Sequence, residues 1–175
     1  GRVHEAVTPM GQIVYSDIEI RHKKEGTGDK DRNLRIYETM LKEGETLEPR
    51  HQFYYARELY YHGRHAEAIQ VLEGFLKEPG AWIENKIDAC LHLAYCFEKL
   101  DRQEEAMKAL TESFIYDRPR GEACCELGKL KMEAGKLEEA VYWYTQALTL
   151  NPDEQSGAFV QRDCYGYLPS IQLCV

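Results

Sequence analysis

Three segments of this chain share one pattern at nearly one spacing, and that recurrence limits the possible folds more than any other feature. HGRHAEAIQVLEGFL, LDRQEEAMKALTESF and AGKLEEAVYWYTQAL align on Ala68, Ala106 and Ala140, which lie 38 and 34 residues apart. A unit of that length, made of two short helices, cannot bury its apolar face alone, so copies must stack into a common core. After each aligned alanine, small or apolar residues recur at i+1, i+4, i+7 and i+8, as in Ala68, Ile69, Leu72, Phe75 and Leu76. That is one stripe of an amphipathic helix. A second helical pattern precedes each alanine, over Phe53 to Tyr61, Cys90 to Glu98 and Cys124 to Met132. Gly63 and Gly135 stand where the first helix must end and reverse, a place that favours the left-handed backbone, and Asp101 holds it in the middle copy. Each unit is therefore predicted as helix, tight turn, helix. The alanines, matched by Tyr55-Ala56, Leu93-Ala94 and Leu127-Gly128 on the first helices, let paired helices approach closely. Pro79-Gly80, Pro119 and Asn151-Pro152 punctuate the ends of units, and the EPGAWIENK connection absorbs the longer first spacing.

With these residues in view, the stretch from Pro49 to Glu154 resembles three tetratricopeptide repeats. The third, with Leu127, Gly128, Gly135, Ala140, Tyr144, Ala147 and Pro152, is nearest the family pattern. NLRIYETML (Asn33 to Leu41) fits the second helix of a capping half repeat, and LPSIQLCV fits the start of a fourth first helix. Residues 1–22 follow another period: in QIVYSDIEIRH, Val14, Ser16, Ile18 and Ile20 alternate with Tyr15, Asp17, Glu19 and Arg21, as in a strand. With Val3 to Val7 as a second run and Pro9-Met10-Gly11 between them, a short β-hairpin is expected there. Two strands alone are marginal in water, so the hairpin is expected to complete a sheet elsewhere. The predicted organisation is the hairpin 1–22, a charged linker 23–32, and an array 33–175. The array divides into a half repeat 33–48, repeats 49–86, 87–120 and 121–154, and a partial repeat 155–175. The opening GRVHEAVTPMG has no apolar signal segment and reads as a cut, while YGYLPSIQLCV stops inside an apolar pattern. The expectation is a piece of a longer polypeptide with an apolar end face open to a neighbour or to self-association.

Charge and cysteine usage narrow the function classes. Lys+Arg 22 against Asp+Glu 30 gives a net charge of −8, which opposes a general nucleic-acid or anionic-membrane binder because polyanions are repelled at long range. No apolar run reaches the roughly 20 residues of a bilayer span, so a soluble, cytoplasmic protein is expected. Cys90, Cys96, Cys124, Cys125, Cys164 and Cys174 form no CxxC pair and are read as reduced, with Cys90 and Cys124 packing as small hydrophobes. G-x-S-x-G, G-x-x-x-x-G-K-[ST], G-x-G-x-x-G and H-E-x-x-H are missing from the sequence. Glu104-Glu105 and Glu138-Glu139 open the second helices, where carboxylates complement the helix dipole. His51, His62 and His65 flank a hairpin turn, which exposes such residues routinely, and neighbouring Cys124 and Cys125 point about 100° apart on a helix. Neither set is read as a metal site.

The order of GRVHE, VYSDIEIRH and DRNLRIYE before the repeats resembles the junction in bacterial family 2 glycosyltransferases that carry such repeats behind a catalytic domain. FYYARELYYHGRHAEAI, ENKIDACLHLA and CYGYLPSIQLCV extend the likeness along most of the chain. The resemblance implies an all-α tetratricopeptide-repeat helical-hairpin solenoid, preceded by a β-hairpin belonging to an α/β catalytic domain not contained in this chain. It implies a parent enzyme using Mn²⁺ or Mg²⁺ and a nucleotide sugar, with no cofactor for this chain itself. His4 is then the candidate metal ligand, of the parent enzyme only, and Glu5 a weak candidate for acceptor contact or structural pairing. A histidine suits these cations poorly alone but can act as a third arm.

A second candidate site is the concave face that first helices line in such arrays. Repeat register places Arg50, Phe53, Arg57, Tyr60 and Tyr61 there, then Asp88, Leu91, Tyr95, Glu98 and Lys99, then Glu122, Cys125, Lys129 and Met132. Aromatic rings beside cations suit an extended peptide or a glycan acceptor equally, and several tyrosines can instead fill helix interfaces. Phe53, Arg57 and His92 stand where a carboxylate clamp needs basic and amide groups, which argues against acidic C-terminal peptides. Two functions stay open: a glycosyltransferase region that binds or positions acceptor or partner, and a stand-alone adaptor that captures a partner peptide without catalysis.

Overall fold

The apolar stripes become helices, and the turn residues end them. The computed structural model describes residues 29–153 and 156–174, together with Gly11, Gln12 and Val14. Among these residues every regular element is helical: α1 (Arg32–Lys42), α2 (Pro49–Tyr61), α3 (His65–Leu76), α4 (Ile83–Glu98), α5 (Gln103–Glu112), α6 (Gly121–Glu133), α7 (Leu137–Thr149) and α8 (Tyr167–Gln172). Short 3-10 turns, Ser113–Ile115 and Arg162–Tyr165, follow α5 and precede α8. The β-hairpin expected at 1–22, most of the linker, and His4 and Glu5 lie outside the described residues. The chain divides into two compact units, Gly1–Thr46 and Leu47–Val175. In the first, α1 buries Leu34, Tyr37 and Met40, spaced by three along one helix face.

In the second unit α2 packs on α3, α4 on α5 and α6 on α7, while α3–α4 and α5–α6 contacts join consecutive pairs. The reversals inside the pairs are alike. Gly63, Asp101 and Gly135 take φ of 74°, 57° and 72°, and the next amide closes back on the helix: Arg64 on Leu59, Arg102 on Phe97, Lys136 on Lys131, each at 2.9 Å. This closure satisfies carbonyls that a helix end leaves bare. The second helices then start without side-chain caps, on Arg64, Arg102 and Lys136. Arg64 instead chelates Glu67 at 2.6 and 2.7 Å, Arg102 holds Glu105, and Lys131 reaches across to Glu139. These guanidinium bonds keep the Glu67 and Glu105 carboxyls below the usual carboxylate range.

The seam between paired helices is made of small residues. Ala56, Ala68, Ala94 and Ala106 are fully buried, and a Cβ at Gly128 would stand 2.9 Å from the Tyr144 ring. Around the seam, Phe53, Leu59, Leu72, Phe75 and Leu110 have no exposed surface. Each such side chain contributes on the order of 1.5–3 kcal/mol by leaving water. Cys90, Cys96 and Cys124 are buried free thiols, and burial pushes them up to about 12, 12 and 11, so they stay protonated and pack as small apolar groups.

One local expectation changes. The stripe ending at Phe114 does not run through one α-helix: Ser113 is buried and donates its hydroxyl to the Leu110 carbonyl at 2.6 Å, and the chain tightens there into the 3-10 turn. The fourth first helix begins at Tyr167, with Pro169 inside its first turn, where its missing N–H is not needed. No helix among the described residues is long and apolar enough to cross a membrane.

A candidate interaction face on the first helices

The apolar stripes of α2, α4 and α6 are spent on the seam, so their remaining faces carry the aromatic and charged residues. Arg57, one turn before the α2 terminus, lies among four rings: Phe53 at 5.7 Å, Tyr54 at 5.8 Å, Tyr61 at 5.9 Å and Phe159 at 4.8 Å from guanidinium carbon to ring centroid. It also donates to the Tyr61 hydroxyl at 3.2 Å. Tyr60 meets Tyr61 at 5.5 Å and reaches across to Tyr95 of α4 at 6.2 Å. His92 sits between them, 6.1 Å from Phe53 and 5.9 Å from both Tyr60 and Tyr95, mostly edge-on, the geometry in which ring edge meets ring face. Its Nδ1–H donates to the Asp88 carbonyl at 2.9 Å. Burial holds the His92 imidazole below its ordinary value, against the pull of Asp88, so it stays neutral near pH 7.

Toward α6 the face turns acidic. Lys129 lies 2.8 Å from Glu98 and also contacts Glu126, so one ammonium is shared by two carboxylates. Burial raises Glu126 above the usual carboxylate range. Glu122, on the first turn of α6, is buried, and both its oxygens are used: Oε1 accepts the Gln161 backbone N–H and Oε2 the Tyr165 hydroxyl, each at 2.7 Å. Cys125 donates its thiol to the Cys164 carbonyl at 3.4 Å. Arg120, at the start of α6, grips Glu84 of α4 and bonds Asp117 at 3.0 Å, tying consecutive units together.

The residues placed on this face by repeat register divide into three groups. Arg57, Tyr60, Tyr61 and Tyr95 come together as one ring-and-cation cluster, and Lys129 joins its acidic flank. Phe53 has no exposed surface and packs against Phe75 at 5.6 Å, so it fills an interface and its ring is closed to a ligand. Arg50 is exposed beside Tyr54 at one end of α2, and Lys99 is the exposed residue that ends α4; neither enters the cluster. Of the three histidines near the first turn, His65 lies tilted against Tyr60 at 5.4 Å and His62 donates its Nδ1–H to the Glu58 carbonyl at 2.7 Å. Among the described residues no group of three or more His, Cys, Asp or Glu side chains converges to hold a metal ion.

Register did not find the segment 156–165, which crosses this face. Phe159 covers Arg57, the Gln161 N–H bonds Glu122, and a Cβ at Gly157 would lie 3.6 Å from Trp82. A cleft of about 50 Å³ remains beside it, with Ile87, Leu91, Leu110 and Ala123 on the array side and Phe159 and Val160 on the other. Only the glycines at 157 and 166 mark this stretch in the sequence, and they signal turns rather than a destination.

No curated protein matches the chain. Two family models, both described as tetratricopeptide repeat, match residues 121–154 and 87–114. Those residues contain the pair α6–α7, and α5 with α4 from Ile87 onward. The two hairpins are tetratricopeptide repeats.

Proposed function

We propose that this chain is a protein-interaction module whose α2, α4 and α6 face captures an extended segment of a partner. Stacked repeats expose a continuous surface built from many short helices, and they are used mainly for binding. The observation that carries the reading is the Arg57 cluster, in which one cation, three tyrosines and a neutral histidine are held by the packed helices beneath them. Pre-positioned rings and a guanidinium cost little entropy to use and recognise aromatic and backbone groups together. Random peptides displayed on phage and selected on the immobilised chain test it. Enriched peptides should bind the unmodified chain and lose at least tenfold with Arg57→Ala and Tyr61→Ala combined; equal binding to both forms refutes the face.

A finer reading places the array behind the catalytic domain of a family 2 glycosyltransferase, where the same face would present an acceptor glycan or peptide. Its support is the likeness of FYYARELYYHGRHAEAI and CYGYLPSIQLCV to that class. His4 and Glu5 would then belong to the parent enzyme's metal and acceptor region, with Mn²⁺ or Mg²⁺ as the cation. On this reading the 175-residue chain alone does not turn over nucleotide sugars. Hydrolysis or transfer by the purified chain with Mn²⁺ would contradict that division of labour.

A further inference from the structure

The segment 156–161 (SGAFVQ) lies where a captured peptide would have to lie. It is irregular backbone over the α2–α4–α6 face, and two of its contacts use groups on that face. The Phe159 ring faces the Arg57 guanidinium at 4.8 Å, and the Gln161 N–H goes to Glu122 at 2.7 Å. We infer that this segment is an intramolecular stand-in for the partner, and that the face accepts an extended, non-acidic peptide. Such a peptide carries an aromatic side chain two residues before a donor N–H, and it displaces the segment on binding. The inference rests on the partner-binding reading above and adds the identity of the competitor and the class of peptide.

Three observations separate a replaceable occupant from a fixed wall of the fold. The Phe159 side chain is 63% exposed even while it covers Arg57. Among the described residues, 156–161 makes no backbone–backbone hydrogen bond to α2, α4 or α6; the only such bond is from the Cys164 N–H back to the Gln161 carbonyl. By contrast, the chain just beyond is pinned: Cys164 is buried in the α6–α7 core cluster with Tyr144 and Ala147, and Tyr165 bonds Glu122. A tether anchored at Cys164 and held before it by the Gln161–Glu122 bond and the Phe159–Arg57 contact can lift from the face without dismantling the repeats. The charge around the site sets the class of ligand. Asp88, Glu98, Glu122 and Glu126 outnumber Arg57 and Lys129, so an acidic peptide meets repulsion and an aromatic, neutral or basic one does not.

The test compares the unmodified chain with a form in which Gly157–Gln161 is replaced by five alternating glycines and serines, using a fluorescein-labelled synthetic peptide SGAFVQRD as probe. Fluorescence anisotropy should show the replaced form binding at least tenfold more tightly, with the gain abolished by adding Arg57→Ala. Phe159→Ala in the intact segment should give a smaller gain of about threefold. Equal binding by both forms, a gain that survives Arg57→Ala, or concentration-dependent dimerisation of the replaced form in place of peptide binding overturns the inference. Loss of helical circular dichroism on replacement also overturns it, because a displaceable occupant leaves the array folded. If phage-selected peptides bind the Arg57 face with the same affinity in both forms, the partner-binding reading stands and this inference alone fails.

Discussion

The seam between paired helices and the face opposite it use the same helices under different rules. On the seam, Ala56, Ala68, Ala94 and Ala106 are fully buried, and at Gly128 the Tyr144 ring leaves no room for a Cβ. On the face, Arg57, Tyr95, His92 and Glu122 meet rings, carbonyls and an irregular segment, and the packing leaves a cleft. Close packing with no slack resists change, whereas an exposed, polar-lined surface tolerates it. The difference teaches that stability and recognition are separated by helix side in this unit, and five substitutions, one of them read against pH, can break or sharpen that separation.

The largest effect is expected at Phe75→Ala, which empties a fully buried site in α3 against Phe53. A loss of about 3–5 kcal/mol in urea unfolding is expected; a loss below about 1 kcal/mol would mean that the seam is not the stabilising side. Next comes Gly128→Val, whose side chain must push aside the Tyr144 ring, at a cost of about 1–3 kcal/mol. Gly63→Ala provides its control, because nothing lies near a Cβ there and only the positive φ of 74° opposes it, for about 1–2 kcal/mol. Thermal melts that rank Gly63→Ala above Gly128→Val would show that backbone conformation, not helix approach, limits the seam.

On the face, Glu122→Gln removes the charge behind two hydrogen bonds while keeping the shape, and charge-assisted bonds are about twice as strong as neutral ones. Hydrogen exchange should accelerate about tenfold at the Gln161 amide, with α2 and α3 amides unchanged. Acceleration spread over the whole array would contradict the separation. The smallest effect is a pH dependence. Burial lowers the His92 pKa in the folded chain, so as pH falls through about 6.5 the unfolded chain takes up a proton that the folded chain refuses, and stability is lost on the acid side. The stability gap between the unmodified chain and His92→Gln should therefore narrow as pH falls from 7 to 5. Glu126, whose pKa burial raises, works with the opposite sign, losing stability as pH rises through the upper carboxylate range, and the difference between the two forms cancels its part. A gap that is constant across this range refutes a neutral, buried His92.

How much of this was legible in the sequence follows from the same division. The 34-residue spacing, the stripes after Ala68, Ala106 and Ala140, and the turns at Gly63, Asp101 and Gly135 all express local periodicity and backbone preference. Those rules act within a few residues, so a single sequence displays them. The Arg57–Tyr60–Tyr95 grouping was legible through repeat register, but Phe53 was not separable from it, because a half-turn of helix decides whether a ring lines a face or fills a seam. Ser113 ends α5 through a hydroxyl bond that periodicity does not register. The course of 156–165 was illegible for a different reason: it rests on Glu122, 39 residues from Gln161, and on Arg57, which pairs with Phe159 as cation and ring, and no local pattern encodes such partners.

The account stands on recognition by the α2, α4 and α6 side, and a proton–nitrogen correlation spectrum of the ¹⁵N-labelled chain, titrated with a phage-selected peptide, tests it most directly. Shifts confined to Arg57, Tyr61, His92, Tyr95, Glu122 and residues 156–161 are the predicted result. Shifts centred on the exposed faces of α3, α5 and α7, with the amides around Arg57 and Tyr95 unmoved, would contradict it.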